Sequence, residues 1–172
     1  MSTNSLVLGV DLGTSGVRIA IINIEKKILF TSSKPYSQGL EISQDWVNSL
    51  EALIKEIPKV LKEKLLACSV AGTSGTLLAC ERNGDPIGEA LPYFVSFDEY
   101  KNKINNLFRK ESVGSSTSGS VARAIKLLER YGNEILLRHQ ADWISGWLLD
   151  NWDYGEEGNN IRMGWEISKK SW

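Results

Sequence analysis

The sequence has one histidine, two cysteines and four prolines in 172 residues, and its charges nearly cancel, with 20 Lys and Arg against 21 Asp and Glu. Each scarcity excludes something. The single histidine, His139, argues against a His-based metal site and reads as a structural side chain. Cys68 and Cys80 are too few for a disulfide-stapled scaffold. Set in apolar segments, they read as buried free thiols in a reducing compartment. A net charge of −1 gives no electrostatic case for a nucleic-acid partner or an anionic membrane. No apolar run is long enough to span a bilayer. Met1 to Ser5 lacks the basic start of a signal peptide, so a cytoplasmic protein is expected.

What is present is ordinary for a soluble globular chain, with 42% hydrophobic and 24% charged residues and enough length for one sizeable core. Val7 to Ile22 reads as strand, small-residue turn, strand. A third strand is expected over Lys27 to Tyr36, ended by Pro35. Ser43 reads as the N-cap of a helix whose apolar positions run from Trp46 through Leu50 and Leu53 to Leu61, with a kink or break at Pro58. Leu65 to Ala71 reads as a buried strand, Leu77 to Cys80 as its resumption after a turn, and Arg82 to Pro86 as a tight turn. Ile87 to Phe94 suggests another extended segment. Helices are expected over Asp98 to Arg109, over Val121 to Tyr131 with a glycine stop at Gly132, and over Asp142 to Asp150. Glu111 to Ser120 reads as a small-polar loop. Three antiparallel strands followed by a helical crossover predict an α/β fold, a mixed sheet with helices packed on it.

Two loops carry the chemistry. Asp11-Leu12-Gly13-Thr14-Ser15-Gly16 places an acid at a strand end, then two glycines and two hydroxyls. Glycines let the main chain approach phosphate oxygens, Thr14 and Ser15 can donate hydrogen bonds, and Asp11 is a hard oxygen ligand suited to Mg²⁺. The same residues also suit a plain hairpin turn. The pattern is not a Walker loop, because a strand follows it instead of a helix. Gly72-Thr73-Ser74-Gly75-Thr76 echoes it. If the preceding strands run parallel side by side, both loops open at one sheet edge, where ligands of open α/β sheets bind. Ser74 and Thr76 would then meet a hydroxyl-rich substrate, the alternative being a turn whose hydroxyls cap their own backbone. Five of six tryptophans fall at or after Trp143. Trp143 and Trp147, four apart, suit helix packing better than a sugar platform. Asp142 reads as an N-cap, and Asp150, Asp153, Glu156 and Glu157 as a solvated acidic loop in preference to a metal site.

Asp11 to Arg18 resembles the first phosphate motif shared by sugar kinases, actin and heat-shock chaperones. Ala71 to Leu78, Asn83 to Ile87, and His139 to Leu149 with Asp153-Tyr154 and Asn159-Asn160 narrow the resemblance. Together they are similar to the FGGY carbohydrate kinases, nearest the cyanobacterial and plant D-ribulose kinase branch, over almost the whole chain. The resemblance implies a ribonuclease H-like (actin-like ATPase) fold and ATP- and Mg²⁺-dependent phosphorylation of a ketopentose such as D-ribulose. Asp11 would hold the metal or position substrate. Gly13, Thr14, Ser15 and Gly16 would form the phosphate hairpin, and Ser74, with Gly75 and Thr76 beside it, would face the sugar.

Two departures qualify this. The family's Asn/Trp-Asp-x-Arg segment is replaced by Leu91 to Tyr100, which holds no arginine. The family's catalytic base, an aspartate in a Gly-x-x-Asp motif, and its second, nucleotide-binding domain are expected beyond Trp172. Residues 1–172 therefore correspond to the front part of the N-terminal domain, incomplete relative to the family. The expectation is a truncated kinase with little activity alone, or else a non-catalytic binding module or one half of a split enzyme with a separately encoded C-terminal partner. An actin-like filament protein fits only the first motif.

Overall fold

In the computed structural model, residues 5–108 and 112–172 are described. The expected helix end at Arg109 and the expected loop start at Glu111 lie outside them, as do residues 1–4 of the N-terminus. The chain divides into two units, the first ending at Thr73 and the second starting at Ser74.

The first unit is built on β1 (Leu6–Leu12), β2 (Gly16–Asn23), β3 (Ile28–Pro35) and β4 (Leu65–Gly72) in the order β3-β2-β1-β4. β1 and β2 are antiparallel, as are β2 and β3, while β1 and β4 run parallel. This matches the expected antiparallel start and crossover. Burial alternates along β1: Leu6, Leu8, Val10 and Leu12 are buried, and Val7, Gly9 and Asp11 are half-buried on the other face. The period of two is that of a strand covered on one side. The cover includes α1 (Ser43–Glu56), which packs on β2 and β3 with Trp46, Leu50 and Leu53 fully buried. Trp46 also donates its indole N–H to the Leu40 carbonyl at 2.9 Å.

Three expectations about this unit need correction. Ser43 is not the N-cap; Ile42 holds that place without a side-chain cap, and Ser43 is the first, buried, helical residue. Asp45 explains the shift. Its Oδ2 accepts the N–H groups of Gln38 (2.7 Å) and Gly39 (3.3 Å), so the first-turn carboxylate ties down the preceding loop. The helix does break at Pro58, into α1 and a short α2 (Lys59–Lys62), because proline cannot donate to the helical ladder. The second correction is β4, expected buried and found exposed over most of its length. It is an edge strand, and the register slips between Leu6 and Val7, which leaves Leu66 unpaired and 66% exposed. The third is Cys68, which lies on that strand and is exposed; both cysteines are free.

The second unit has a two-stranded antiparallel sheet, β5 (Leu77–Cys80) with β6 (Leu136–His139). β6 is absent from the sequence-based expectation. Four residues with an arginine among them give no periodic signal, and the pairing is made across some sixty residues of chain. Ile87 to Phe94 forms no named strand but lies along β5 through bridges Cys80↔Pro86 and Leu77↔Leu91. A 3-10 turn at Asp98–Tyr100 leads into α3 (Lys101–Leu107). α4 (Ser120–Tyr131) ends at Gly132, whose φ of 84° stops the helix as expected. α5 (Gln140–Leu149) and α6 (Glu157–Ile161) follow. Asp142 is the third residue of α5, not its cap. Its Oδ1 accepts the Glu156 N–H (3.0 Å) and the Asn159 amide (3.2 Å), which ties α5 to the chain after it. Trp143 is buried and donates to the Gly84 carbonyl, while Trp152 donates to the Trp143 carbonyl. These two rings serve packing.

Cys80 is fully buried, and burial pushes its thiol up to about 11, Glu81 adding to the rise and Arg138 opposing it. A thiol reagent at pH 8 is therefore expected to label one cysteine, Cys68, in the folded protein, and Cys80 only after denaturant is added. Equal native labelling, read by mass spectrometry, would contradict this placement.

Candidate functional site

The residues singled out by sequence fall in both units. In the first, β1 is bonded along both edges, so the backbone of Asp11 at its carboxyl end is fixed. Asp11 stands opposite Arg18 in the β1–β2 register. Its Oδ2 lies 2.6 Å from Arg18 Nη2 and accepts the Nε–H at 3.0 Å. The turn between them closes with the Gly13 N–H donating to the Gly16 carbonyl at 2.9 Å, and Thr14 and Ser15 are exposed at the tip. The Ser15 carbonyl accepts the Tyr36 N–H at 3.0 Å, which braces the tip against the end of β3. Gly16 is required by that close approach. A Cβ there would overlap the Lys34 carbonyl and lie 2.7 Å from Pro35 Cα.

Beside the tip is a groove of about 430 Å³ lined by Gly13, Thr14, Ser15, Arg18, Lys34 and Pro35. Its two cations and its hydroxyls suit an anion. A wider depression of about 840 Å³ on the sheet is lined by Gly9, Asp11, Arg18, Ala20, Ser69 and Ala71. Among the described residues no group of three or more His, Cys, Asp or Glu could hold a metal ion. Asp11 is therefore no dedicated cage. A lone half-exposed carboxylate does fit the way Mg²⁺ binds, through one or two protein oxygens with waters and substrate phosphates completing the shell.

The β1–β4 register bears on the second loop. Asp11 pairs with Ala71 and Leu12 with Gly72, so Gly13 and Thr73 leave adjacent parallel strands from the same end.

In the second unit, Ser74 is exposed, Gly75 turns with a φ of 97°, and Thr76 is fully buried. The Thr76 hydroxyl oxygen accepts the Tyr93 N–H at 3.2 Å, and its carbonyl accepts the Gln140 N–H at 3.2 Å. Thr76 thus anchors the loop that carries Tyr93. A second anchor comes from α4. Arg123 is 1% exposed and donates to the carbonyls of Pro92 (2.8 Å), Tyr93, Val95 (3.3 Å) and Ser118 (2.7 Å). Burial lowers its guanidinium to about 10, so it remains a cation at neutral pH. The stretch from Leu91 to Tyr100 holds no arginine of its own, yet an arginine 30 residues on is packed into it. Nothing in the local pattern signals Arg123.

His139 is buried. Its Nε2 lies 3.0 Å from Ser120 Oγ and its Nδ1 3.7 Å from Asp142 Oδ2, which agrees with a structural histidine. The acidic residues after α5 do local work: Asp150 ends α5 in the left-handed region at φ 52°, Glu156 accepts the Asn159 N–H to cap α6, and Glu157 accepts the Trp165 indole N–H.

No protein-family model matches the chain. Solved structures do. Glycerol kinase from Plasmodium falciparum, crystallised with ADP, has a TM-score of 0.79 at 16% identity over 98% of this chain and 39% of that one. The fold is that of these kinases. Xylulose kinase from Bifidobacterium adolescentis follows at 0.69 and 14% identity, covering 91% of this chain and 36% of its own. Xylulose kinase from Rhodospirillum rubrum gives 0.66 and 15%, covering 82% and 33%. The chain thus spans between a third and two-fifths of the length of the kinases it matches. No described helix is long and apolar enough to cross a membrane.

The hairpin geometry predicts unequal costs. Gly16→Val should lower stability by about 1–3 kcal/mol through overpacking against β3. Arg18→Gln should change it by about 0–1 kcal/mol, because its ion pair with Asp11 is exposed. Urea unfolding of both variants checks the order.

Proposed function

We propose that this chain is the phosphate- and sugar-binding part of an FGGY-type carbohydrate kinase that phosphorylates a ketopentose such as D-ribulose. The observation that carries the proposal is the pair of parallel strands β1 and β4. Within the first unit they release the Gly13–Gly16 turn and Thr73, the residue before Ser74, from one sheet end, with Asp11 at that end. In this reading the turn and the nearby Arg18 and Lys34 hold phosphate oxygens, and Ser74 and Gly75 contact sugar hydroxyls. Thr76 acts through the anchor it makes to Tyr93. The nucleotide is ATP, a proposal supported by the ADP of the glycerol kinase structure. Mg²⁺, held in part by Asp11, would neutralise charge on the transferring phosphoryl group.

A kinase of this kind also needs a carboxylate to take the proton from the attacking hydroxyl and a pocket for the adenosine. The resemblance puts both beyond residue 172, either as a continuation or in a separately encoded half. Residues 1–172 alone are then a binding unit. A cytoplasmic location accords with an ATP-dependent reaction.

Calorimetry on the 172-residue chain tests this directly. D-ribulose should bind, and Mg²⁺-ATP should bind weakly. Asp11→Asn should weaken the nucleotide about tenfold, the equivalent of about 1.4 kcal/mol. Phosphorylation should be far below the roughly 1–100 s⁻¹ of complete kinases. A folded chain that binds neither ligand overturns the reading, and turnover at ordinary kinase rates overturns the need for further residues.

A further inference from the structure

The Asp142 carboxylate is buried, with a side-chain exposure of 6%. Its Oδ1 is satisfied by the Glu156 N–H and the Asn159 amide. Its Oδ2 has no such donor. Among the described residues its one ion-pair neighbour is His139, whose Nδ1 lies 3.7 Å away, too far for a direct hydrogen bond. No described lysine or arginine lies within ion-pair distance of Asp142. A buried carboxylate is ordinarily met by a cation.

Asp142 lines a cavity of about 260 Å³ within the second unit. His139, with a side-chain exposure of 4%, lines it too. Its Nε2 is engaged with Ser120, and its Nδ1 has no hydrogen bond among the described residues. Asn160 is the third polar side chain. A Cβ on Gly155 would lie 3.3 Å from Asn160 Oδ1 and 3.7 Å from Asp142 Oδ2. Amide and carboxylate thus share one corner, which the glycine keeps open. Arg138 also borders the cavity, but its guanidinium donates to the Leu137 and Trp152 carbonyls. Apolar walls come from Leu128, Ile135, Leu137, Met163 and Trp172.

The unused lone pairs indicate the ligand. With an Nε2–H donating to Ser120, His139 Nδ1 is an acceptor, as are Asp142 Oδ2 and Asn160 Oδ1. Three acceptors and one negative charge match a primary ammonium, which carries three N–H donors and one positive charge. Water alone fits poorly. The cavity is far larger than the roughly 30 Å³ share of one water molecule, and its apolar walls offer no hydrogen bonds. We propose that this cavity binds a small primary amine with a short apolar body, its ammonium group held by Asp142, Asn160 and His139. The site shares no residue with the phosphate and sugar groups proposed above and does not depend on that reading.

Titration of the full 172-residue chain with n-butylammonium chloride, followed by ¹H–¹⁵N NMR, tests it. The Asn160 side-chain amide and the Gly155 N–H should shift saturably, with a Kd of about 1 mM or tighter. The neutral isostere n-butanol should bind about tenfold more weakly. Asp142→Asn should abolish binding. Asn160→Leu removes an amide that makes no printed contact in the fold, so it should keep the thermal midpoint and weaken the amine about tenfold, read at Gly155. It covers the case in which loss of the Asp142 contacts unfolds the chain. Asp153→Asn, which removes an exposed neighbouring acid, should change nothing. His139 is the single histidine, so its ring ¹⁵N shifts are unambiguous, and the bound protein should show the Nε2–H tautomer. Folded wild type with no saturable shift by about 50 mM amine overturns the proposal. So does equally tight binding of n-butanol, or loss of binding in Asp153→Asn. A doubly protonated His139 at neutral pH without amine would supply the cation from the chain itself and overturn it as well.

Discussion

The hydrogen-bonding of β1 along both edges is the constraint from which the first unit takes its geometry. Four apolar side chains, Leu6, Leu8, Val10 and Leu12, are buried on one face. At about 1.5–3 kcal/mol each, their burial is worth on the order of 6–12 kcal/mol. A one-residue slip would expose all four and bury Asp11 in their place. The exposed Asp11–Arg18 pair, worth about 0–1 kcal/mol, could not enforce that register. The acid therefore stands at the sheet end because apolar neighbours two residues apart demand it. This candidate site residue is positioned by the hydrophobic pattern around it and contributes little to its own placement.

Arg123 has a comparable role in the second unit, by different physics. Its five N–H donors form a fixed fork, and the four carbonyls it meets belong to two separate stretches, Pro92 to Val95 and Ser118. A lysine ammonium at the same place is a point donor and could not span them. Burying the charge is unfavourable by itself, but it supplies a donor to all four carbonyls, of which Pro92's also accepts the Val95 N–H, and leaving a buried carbonyl unpaired costs about 1–3 kcal/mol. The interaction is thus better understood as fixing one loop conformation than as adding net stability.

Much of this was legible in the sequence because local rules governed it. The β1–β2 hairpin, the break at Pro58, the turn around Gly84 and the stop at Gly132 each follow from proline, glycine or a period of two or 3.6. The misses share a cause as well. Ser43 looked like a cap because Asp45's engagement with Gln38 and Gly39 is a loop contact invisible to helix periodicity. β4 looked buried because its composition is apolar, whereas burial depends on its place at the sheet edge. β6 exists only through its distant partner β5. In the candidate site, Asp11, the hairpin and Ser74 could be read from residue type and spacing. The buried state of Thr76 and the reach of Arg123 into the 92–95 loop depend on tertiary packing and left no local trace.

If the hairpin holds an anion, as proposed, it does so without a helix. A helix N-terminus supplies about half a positive charge and several parallel N–H groups. Here a strand follows the turn, and the Gly13 N–H is already engaged by Gly16. The positive potential must come mainly from side chains, Arg18 and Lys34, which are exposed and long. Such a site is less rigid than a helix terminus, but it is adjustable. The Arg18–Asp11 pair is weak enough that an arriving anion can draw on Arg18 at small cost, which would leave Asp11 with more of its charge for a cation. The rigidity then lies underneath, where Gly16 sits against Lys34 and Pro35 and the Ser15 carbonyl is held by Tyr36.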